Sequence, residues 1–528
     1  MSTIEEKHKE KTLGEEQHHI STVVHGHDDG DDDVENPQTI KEKQFFYSKE
    51  ERKLLKKLVI AVIPLLALTE LVQLTDKLTL NLAGVMGIYE DIQLSMTQFS
   101  WLGSLYYLGY LCCEVCQKNR ECPRDLLTNI SLRLQIPNAY LIQQFPLSKY
   151  FGSIVIAWGA VLLCTAFGQN FSQLAGLRFF MGFFEGTTSP VCLMLLGLLF
   201  RRKEQIILIA LLEIASELAL VISTLIVYLI GYGMDGLANL RSWKWNMIIF
   251  GSLTIIIGTC VFIFLPNNND SKWLRLSPNE KDLVKERTRD SGLVLDKSFK
   301  VRHVYEAIGE PRLYCYFFII ICLFLQNGCM ATYSSQIIKE AGFTELNAVL
   351  LNIPRGIIAI LFTIGAIYTS YRIHDIARIG AIMAVVSFTG VFVLYVVPHG
   401  PVRLLGVYLS TIMAPYILVL VSCACNVAGY SKKAFYNACI FIALCLGNFI
   451  GPLIMLEREA PRFLTALTVY MAADLTAALL FIYVYWIHRR RNHIRSTIED
   501  QGKLTPPQNN QVQKDMSDQE DISFKFIP

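Results

Sequence analysis

Long apolar stretches, each close to the length of a membrane-spanning helix, alternate with short polar stretches along this chain of 528 residues. A helix rises about 1.5 Å per residue, so about 20 mainly apolar residues cross about 30 Å of hydrocarbon. Twelve stretches meet this requirement, and an all-α integral membrane protein is therefore predicted. We number these spans 1 to 12 in chain order, at residues 58–80, 98–114 with a displaced end at 136–144, 150–168, 171–194, 206–231, 245–265, 313–335, 346–369, 376–396, 403–426, 434–456 and 463–487.

Charged residues are concentrated between and outside the spans. The chain is 52% hydrophobic and 18% charged, which is more apolar material than one soluble core needs. The polar tails have too little apolar content to fold alone. The predicted organisation is a disordered cytoplasmic N-tail at 1–55, a first six-span half at 56–265, a cytoplasmic linker at 266–312, a second six-span half at 313–488 and a disordered cytoplasmic C-tail at 489–528.

Lysine and arginine residues follow the even-numbered spans, which sets the predicted orientation. Positively charged loops stay in the cytoplasm, so these connections and both termini are predicted to be cytoplasmic. We expect the plasma membrane as the location, and the vacuole is the alternative. The residues concerned are Lys149, Arg201–Lys203, Arg372, Arg378 and Lys432–Lys433.

Short motifs recur in a fixed order over both halves. They lie at Thr75–Asp91, Arg178–Pro190, Arg201–Gln205, Gln326–Gly328, Leu350–Gly356, Asn426–Lys433, Gly447–Pro452 and Ala460–Pro461. In this order they resemble the fungal allantoate permease family of the major facilitator superfamily, over roughly residues 45–490. The resemblance implies two parallel halves of six helices with the substrate site near the midplane between them.

The same resemblance implies a function, namely proton-coupled uptake of a small organic anion. The substrate classes it implies are allantoate or another ureido acid, a carboxylate vitamin, a short peptide and a sulfur compound. Two departures leave the substrate open. The loop at 144–152 lacks the acidic residue of the broader superfamily's gating motif, as members of this fungal branch commonly do, and Glu213 and Glu217 are additional to the family pattern. A non-transporting nutrient sensor of the same fold is the alternative from another class of protein.

Charged residues within span 1 are the first candidates for a transport pathway. A charge inside hydrocarbon costs about 2.5 to 3.5 kcal/mol, so each one needs a partner, water or a function. Glu70, Gln73 and Lys77 fall on one helical face, and Glu70 is the predicted proton carrier, with contact to water at a helix end as the alternative. Asp76 and Lys77 are predicted to be interfacial. Asn81 completes the candidates in this motif.

Span 4 contributes two further charged candidates. Arg178 and Glu185 are seven residues apart, about 10 Å along one helical face, which is too far for a direct salt bridge. We expect Arg178 to orient the cytoplasmic half of the cavity and Glu185 to lie closer to the substrate, because a guanidinium suits a carboxylate. The alternative for Arg178 is a structural ion pair with a neighbouring helix.

The remaining candidates lie in spans 5, 7 and 11. Glu213 and Glu217 are spaced i, i+4, so two carboxylates on one face would share a proton in one conformation. Asn327 and Asn448 offer neutral donors and acceptors, or their glycine neighbours serve close helix packing. Asp474 in span 12 is interpreted as a packing or snorkelling residue.

The chain contains none of the motifs typical of catalysis, nucleotide hydrolysis or zinc binding. No enzyme activity, cofactor, metal site or nucleic-acid partner is predicted. The predicted partners are the organic anion, protons and the lipid bilayer.

Residues 115–135 interrupt span 2 with a polar, proline-containing run that hydrocarbon would not accept. Joining Glu114 to Ile136 restores a continuous span that resembles the family. Val115–Cys116 can be encoded by GTATGT, Leu127–Thr128 can contain CTAAC and Gln135 can be CAG, which are the ordered signals of a fungal intron. A retained intron, and hence an inactive unspliced product, is our hypothesis; a genuine insertion is the alternative.

Overall fold

The computed structural model describes residues 49–118, 146–200, 202–266, 301–500, 517–519 and 524–528, with the single positions 277, 280 and 283. Within these ranges the regular structure is helical and contains no strand. Helices occupy the described parts of all twelve predicted spans in order, the displaced end of span 2 at 136–144 lying outside the described residues. Nine of the described helices are long and apolar enough to cross a membrane. The predicted all-α membrane fold is confirmed.

The first half is built from long helices, some of which extend beyond the predicted spans. Asn170 caps span 4 because its side chain accepts a hydrogen bond from the Gln173 amide. Span 4 is broken at Gly186 and Thr187. Spans 1 to 6 comprise Lys49–Val85, Met96–Lys118, Leu147–Thr165, Phe171–Glu185 with Thr188–Leu199, Arg202–Gly233 and Ser242–Phe264, with Ile88–Ile92 and Leu237–Asn239 as short helices between them.

The second half repeats this arrangement. Pro311 begins span 7, where its missing amide proton costs no helical hydrogen bond. Asp375 caps span 9 by accepting from the Arg378 amide. Spans 7 to 12 comprise Pro311–Glu340, Glu345–Leu350 with Asn352–Ile373, Ile376–Val396, Val402–Ser410 with Ala414–Asn426, Tyr430–Leu453 and Leu464–Asp500, and the helix Val301–Ile308 precedes them.

Glycines bring spans 7 and 11 into close contact. A Cβ atom on Gly328 would lie 2.7 Å from the Asn448 Cα, and one on Gly451 would meet the Leu325 carbonyl oxygen. Only a residue without a side chain allows two helices to approach so closely. Because of this packing, Asn327 and Asn448 lie side by side at the same level of the two helices.

The predicted disorder of both tails is wrong where the structure describes them. Residues 49–55 already belong to span 1, residues 489–500 continue span 12, and the segments 517–519 and 524–528 pack against the second half. Apolar content does not reveal these contacts, because they are made largely by charged side chains. Residues 1–48 lie outside the described residues.

The interrupted region of span 2 is described only at its beginning. The helix continues to Lys118, three residues beyond Val115, and residues 119–145 lie outside the described part of the chain. The retained-intron hypothesis therefore stays a prediction.

Candidate substrate cavity

A cavity of about 620 Å³ lies between the two halves. Its described lining residues come from spans 1, 2, 4 and 5 of the first half and spans 7, 8, 10 and 11 of the second. This volume suits a small organic molecule. The cavity reaches Ala424 and Lys433, at the end of the bundle where span 10 connects to span 11.

The described cavity wall combines aromatic surface with mostly positive charge. Lys77, Arg355 and Lys433 are its cations and Glu70 is its carboxylate. The aromatic side chains are Tyr107, Tyr110, Phe324, Tyr416 and Phe441. A mainly apolar wall with a few charged groups is typical of a site that orients an organic ligand through its charge.

Lys77 forms an ion pair that lies directly at the cavity wall. Its Nζ is 3.1 Å from Oε1 of Glu185, and it lies 5.9 Å from the ring centre of Tyr110. The Lys77 side chain is 29% exposed, whereas Glu185 is fully buried. Glu185 is thus separated from the cavity by Lys77, and the expectation that Lys77 is interfacial is wrong.

Arg178 and Asp76 lie behind this ion pair and outside the cavity lining. Asp76 is fully buried and accepts a hydrogen bond from Thr254 of span 6 at 3.2 Å, so its interfacial placement is also wrong. Arg178 is 3% exposed and interacts electrostatically with Asp76 and Glu185. Arg178 is not among the described cavity residues, and its charge is directed at carboxylates of the protein, one of them on span 1, which is the contact that the alternative of a structural ion pair with a neighbouring helix expects. Its role in orienting the cytoplasmic half of the cavity stays a prediction.

Glu70 and Lys77 both line the cavity, as their helical spacing predicts, but Gln73 does not. Glu70 is hydrogen-bonded with Cys192 of span 4. Gln73 is 3% exposed and packs inside the first half. The role of Glu70 as proton carrier stays a prediction.

Asn327 and Asn448 meet on the wall of the second half. The Asn327 amide donates to Oδ1 of Asn448 at 3.2 Å, and both residues line the cavity. The two interpretations of these positions are therefore compatible: the neighbouring glycines allow close packing, and the amides present polar groups to a ligand.

Asn81 lies outside the cavity and joins the two halves. Its side-chain amide donates to Ser334 at 2.6 Å, and its oxygen accepts from the Ser335 amide at 3.0 Å. Ser334 also accepts from Arg355 at 2.7 Å and donates to Asn352 at 3.2 Å. This network positions the Arg355 guanidinium at the cavity.

Further contacts close the bundle at the end where span 1 connects to span 2. Ser100 and Tyr333 are hydrogen-bonded through their hydroxyls at 2.6 Å, and the Tyr89 hydroxyl donates to Gln336 at 3.1 Å. The Thr97 hydroxyl donates to Glu457 at 3.2 Å. The halves are therefore joined at one end, and the cavity extends towards the other.

Glu213, Glu217 and Asp474 are the remaining residues that the sequence analysis singled out. Glu213 and Glu217 belong to the helix Arg202–Gly233, but their side chains lie outside the described residues. Asp474 is 1% exposed, so it does not snorkel, and its interpretation as a packing residue remains. Arg355 was not among the candidates, although it shows the same signal, an arginine within a predicted span.

Comparison with known proteins identifies the family. A family model described as Major Facilitator Superfamily matches residues 66–452. The chain is 29% identical to an uncharacterized transporter of Schizosaccharomyces pombe, covering 90% of this chain and 91% of the relative, and 24% identical to the allantoate permease of Saccharomyces cerevisiae, covering 90% and 87%. The inward open conformation of the xylose transporter XylE from E. coli is similar in fold, with a TM-score of 0.59 at 15% identity over 80% of this chain and 95% of that one. The chain therefore belongs to the Major Facilitator Superfamily, a family of membrane transporters.

Proposed function

We propose that this transporter takes up a small organic anion together with protons across the plasma membrane. The observation that carries the proposal is the pair of cations, Lys77 from the first half and Arg355 from the second, that line the same cavity. A carboxylate is well matched to a guanidinium and an ammonium, and the aromatic side chains suit an organic body. The candidate substrates are allantoate or another ureido acid, a carboxylate vitamin, a short peptide and a sulfur compound.

Coupling to protons follows from the ion pair between Lys77 and Glu185. A substrate carboxylate that binds Lys77 competes with Glu185 for its positive charge. Glu185 is fully buried, so loss of its contact with Lys77 would leave an uncompensated charge in the first half. Glu70 at the cavity wall is the proposed proton carrier, and the Lys77–Glu185 pair is the proposed point at which substrate binding acts on the charges beside it.

The direction of access depends on the predicted orientation. With both termini in the cytoplasm, the end closed by Ser100, Tyr333 and Asn81 faces outward, and the end at Lys433 faces the cytoplasm. The structure then represents an inward-facing state, from which substrate leaves into the cell. Exchange with an outward-facing state requires the contacts of Ser100 and Asn81 to break.

Uptake of labelled candidate substrates into cells that express the protein tests this proposal. Labelled substrate should accumulate, and a protonophore or an alkaline medium should abolish accumulation. Uptake that is unchanged by both treatments would exclude proton coupling, and binding without accumulation would favour a sensor. Growth of a deletion strain on single sources of nitrogen, sulfur or vitamin identifies the substrate.

A further inference from the structure

Residues 517–519 and 524–528, named here the C-terminal strap, lie against the ends of several spans of the second half. The Pro528 carbonyl accepts hydrogen bonds from the Ile376 amide at 2.6 Å and the Ala377 amide at 3.3 Å, at the start of span 9. Ile527 exchanges two hydrogen bonds with Asn426 at the end of span 10, at 2.7 and 2.9 Å. The strap thus makes specific backbone contacts with two spans.

An aromatic anchor holds the end of the strap. Phe526 is 3% exposed, and its ring stacks on His488 with ring centres 5.5 Å apart. Arg312, Arg491 and Arg495 lie 4.9, 5.7 and 4.6 Å from the centre of the same ring. Guanidinium groups at this distance attract an aromatic face.

Asp518 enters a buried cluster of balanced charge. It forms ion pairs with Arg312 and Lys432, both at 2.6 Å, and lies 3.9 Å from Arg491. Two further carboxylates belong to the cluster, because Glu310 pairs with Arg312 at 2.6 Å and Glu306 pairs with Lys432 at 2.6 Å. The cluster contains three carboxylates, at 306, 310 and 518, and three cations, at 312, 432 and 491.

The three carboxylates lie close enough together to suggest a metal ion, but their centre is occupied by an ammonium group. The Lys432 Nζ contacts Glu306 at 2.6 Å, Glu310 at 2.9 Å and Asp518 at 2.6 Å. Lys432 is fully buried and supplies the positive charge that a metal would otherwise bring. The cluster therefore holds Asp518 of the strap through Arg312 and Lys432.

The hydroxyl group of Ser517 contacts this cluster, and a phosphoryl group attached to it would change the charge of the cluster. The hydroxyl is buried and donates to Oε2 of Glu306 at 2.8 Å. The Ser517 Cα lies 3.4 Å from the point that a Cβ atom on Gly429 would occupy. A phosphoryl group in this place would remove the donor and add about two negative charges beside Glu306. The three cations of the described cluster already pair with its three carboxylates, so they do not compensate the added charge, and phosphoserine at 517 disfavours the docked strap.

The sequence around Ser517 suits an enzyme that would add such a group. Acidic residues surround it at Asp515, Asp518, Glu520 and Asp521. Kinases that prefer acidic substrates recognise such a pattern through basic side chains. The C-terminal segment is accessible to a cellular kinase if the termini are cytoplasmic, as the proposed orientation has it.

We propose that Ser517 is a phosphorylation site that controls docking of the C-terminal strap. A protein kinase transfers the γ-phosphoryl group of a nucleoside triphosphate: a bond forms between Ser517 Oγ and phosphorus, the bond to the nucleoside diphosphate breaks, and the hydroxyl proton passes to a base of the kinase. Ser517 is buried in the docked strap, so only the released strap reacts. The phosphorylated strap then stays undocked, because the phosphoryl group disfavours the docked form.

Release alters the rim of the cavity. Asn426 and Lys432, both bound by the strap, flank the connection between spans 10 and 11, and Lys433 next to them lines the cavity. Loss of the strap removes these restraints from the rim.

Hydrogen exchange in the full-length protein tests docking directly. Ser517→Glu is expected to speed exchange of the Ile376, Ala377 and Ile527 amides by more than about tenfold, because the added charge outweighs a single hydrogen bond. Ser517→Ala removes the hydroxyl without adding charge and should show a smaller increase. Ser496→Glu adds the same charge at an exposed position of span 12 and is the matched control. Equal exchange in Ser517→Glu and Ser496→Glu would overturn the proposal.

A kinase experiment tests whether the strap must be released before Ser517 is phosphorylated. An acid-directed serine kinase with ATP is expected to phosphorylate Phe526→Ala faster than the wild type, since this change releases the strap and leaves the residues around Ser517 intact. Mass spectrometry should locate the phosphate at Ser517 and find none there in Ser517→Ala. Equal rates for Phe526→Ala and wild type, or phosphorylated protein with fully protected amides, would contradict the proposal. Neither readout depends on transport, so failure here is distinct from failure of the proposed function.

Discussion

At the scale of single residues, the charged groups of the first half beside the cavity contact partners on other spans. Lys77 and Glu185 belong to spans 1 and 4, and Asp76 is held by Thr254 of span 6. Removing one partner of a buried pair leaves an uncompensated charge, which is costly in a low-dielectric interior. The effects of substitutions should therefore depend on which partner is lost.

Glu185→Gln is expected to reduce uptake at least about tenfold while surface expression stays near normal, because it preserves shape but leaves the Lys77 ammonium without its carboxylate partner. Arg178→Ala should also reduce uptake severely, since Arg178 supports the same charge cluster. Labelled uptake and surface biotinylation measure the two quantities. Glu345→Gln, in the exposed ion pair with Lys339, is the matched control. Full transport by Glu185→Gln would show that the assignment in span 4 is wrong.

Glu310 gives a prediction for pH. Burial alone would raise the pKa of its carboxyl, but Arg312, Lys432 and a hydrogen bond from Tyr436 lower that pKa to about 2. A carboxyl with a lowered pKa stabilises the folded state fully above its ordinary pKa, and this contribution is lost only as pH falls towards the lowered value. Glu310 therefore stays ionised at pH 5 and above.

Glu310→Gln should accordingly lower the thermal unfolding temperature of the purified protein by several degrees, because breaking a buried pair costs about 3 to 5 kcal/mol. The difference in Tm from wild type should be the same at pH 7 and pH 5. A difference that already shrinks over this range would contradict the assigned pKa.

At the scale of elements, close contact between spans 7 and 11 depends on glycine. A methyl group on Gly451 would collide with the Leu325 carbonyl oxygen, which is backbone and cannot rotate away. Gly365 in span 8 has no atom within 4 Å of its Cβ position, so it offers a matched site for the same substitution.

Gly451→Ala is expected to destabilise the protein by about 1 to 3 kcal/mol, the usual cost of overpacking. Gly365→Ala should be neutral or slightly stabilising, because alanine favours the helix. Thermal unfolding of the two purified variants gives the comparison. Similar Tm values for both would indicate that spans 7 and 11 are not held at this distance.

At the scale of the whole molecule, our hypothesis is that residues 115–135 are a retained intron and that the full-length chain is not the working transporter. Span 2 lines the cavity through Tyr107 and Tyr110, so we expect a polar interruption shortly after these residues to impair the substrate pathway. We expect mature transcripts to lack the codons for 115–135 and to join Glu114 to Ile136. Sequencing of transcripts tests this, and uptake by the shortened chain should exceed uptake by the full-length one. The hypothesis fails if every mature message keeps these codons and the full-length protein transports normally.

The fold class could be predicted from the sequence because the bilayer imposes a simple condition on each span separately. Every backbone group within hydrocarbon must be hydrogen-bonded inside the helix, so length and hydropathy alone indicate a span. Helical spacing put Glu70, Gln73 and Lys77 on one face, and Glu70 and Lys77 line the cavity whereas Gln73 is buried beside it. The partners of Asn81 and Arg178 could not be predicted, because one helix does not show which neighbour its side chains contact.

The order, number and class of the helices, and the charged residues within them, were determined by the sequence alone. The tertiary structure decided which charges meet, because packing sets the distance and rotation between spans that are far apart in the chain. It placed Lys77 against Glu185 at the cavity wall and set Arg178 behind it. It also brought Asp518 onto Arg312, 206 residues away, in a tail whose polar composition predicts disorder. Hydropathy measures the transfer of each residue from water, whereas these ion pairs depend on geometry between elements that no local pattern records.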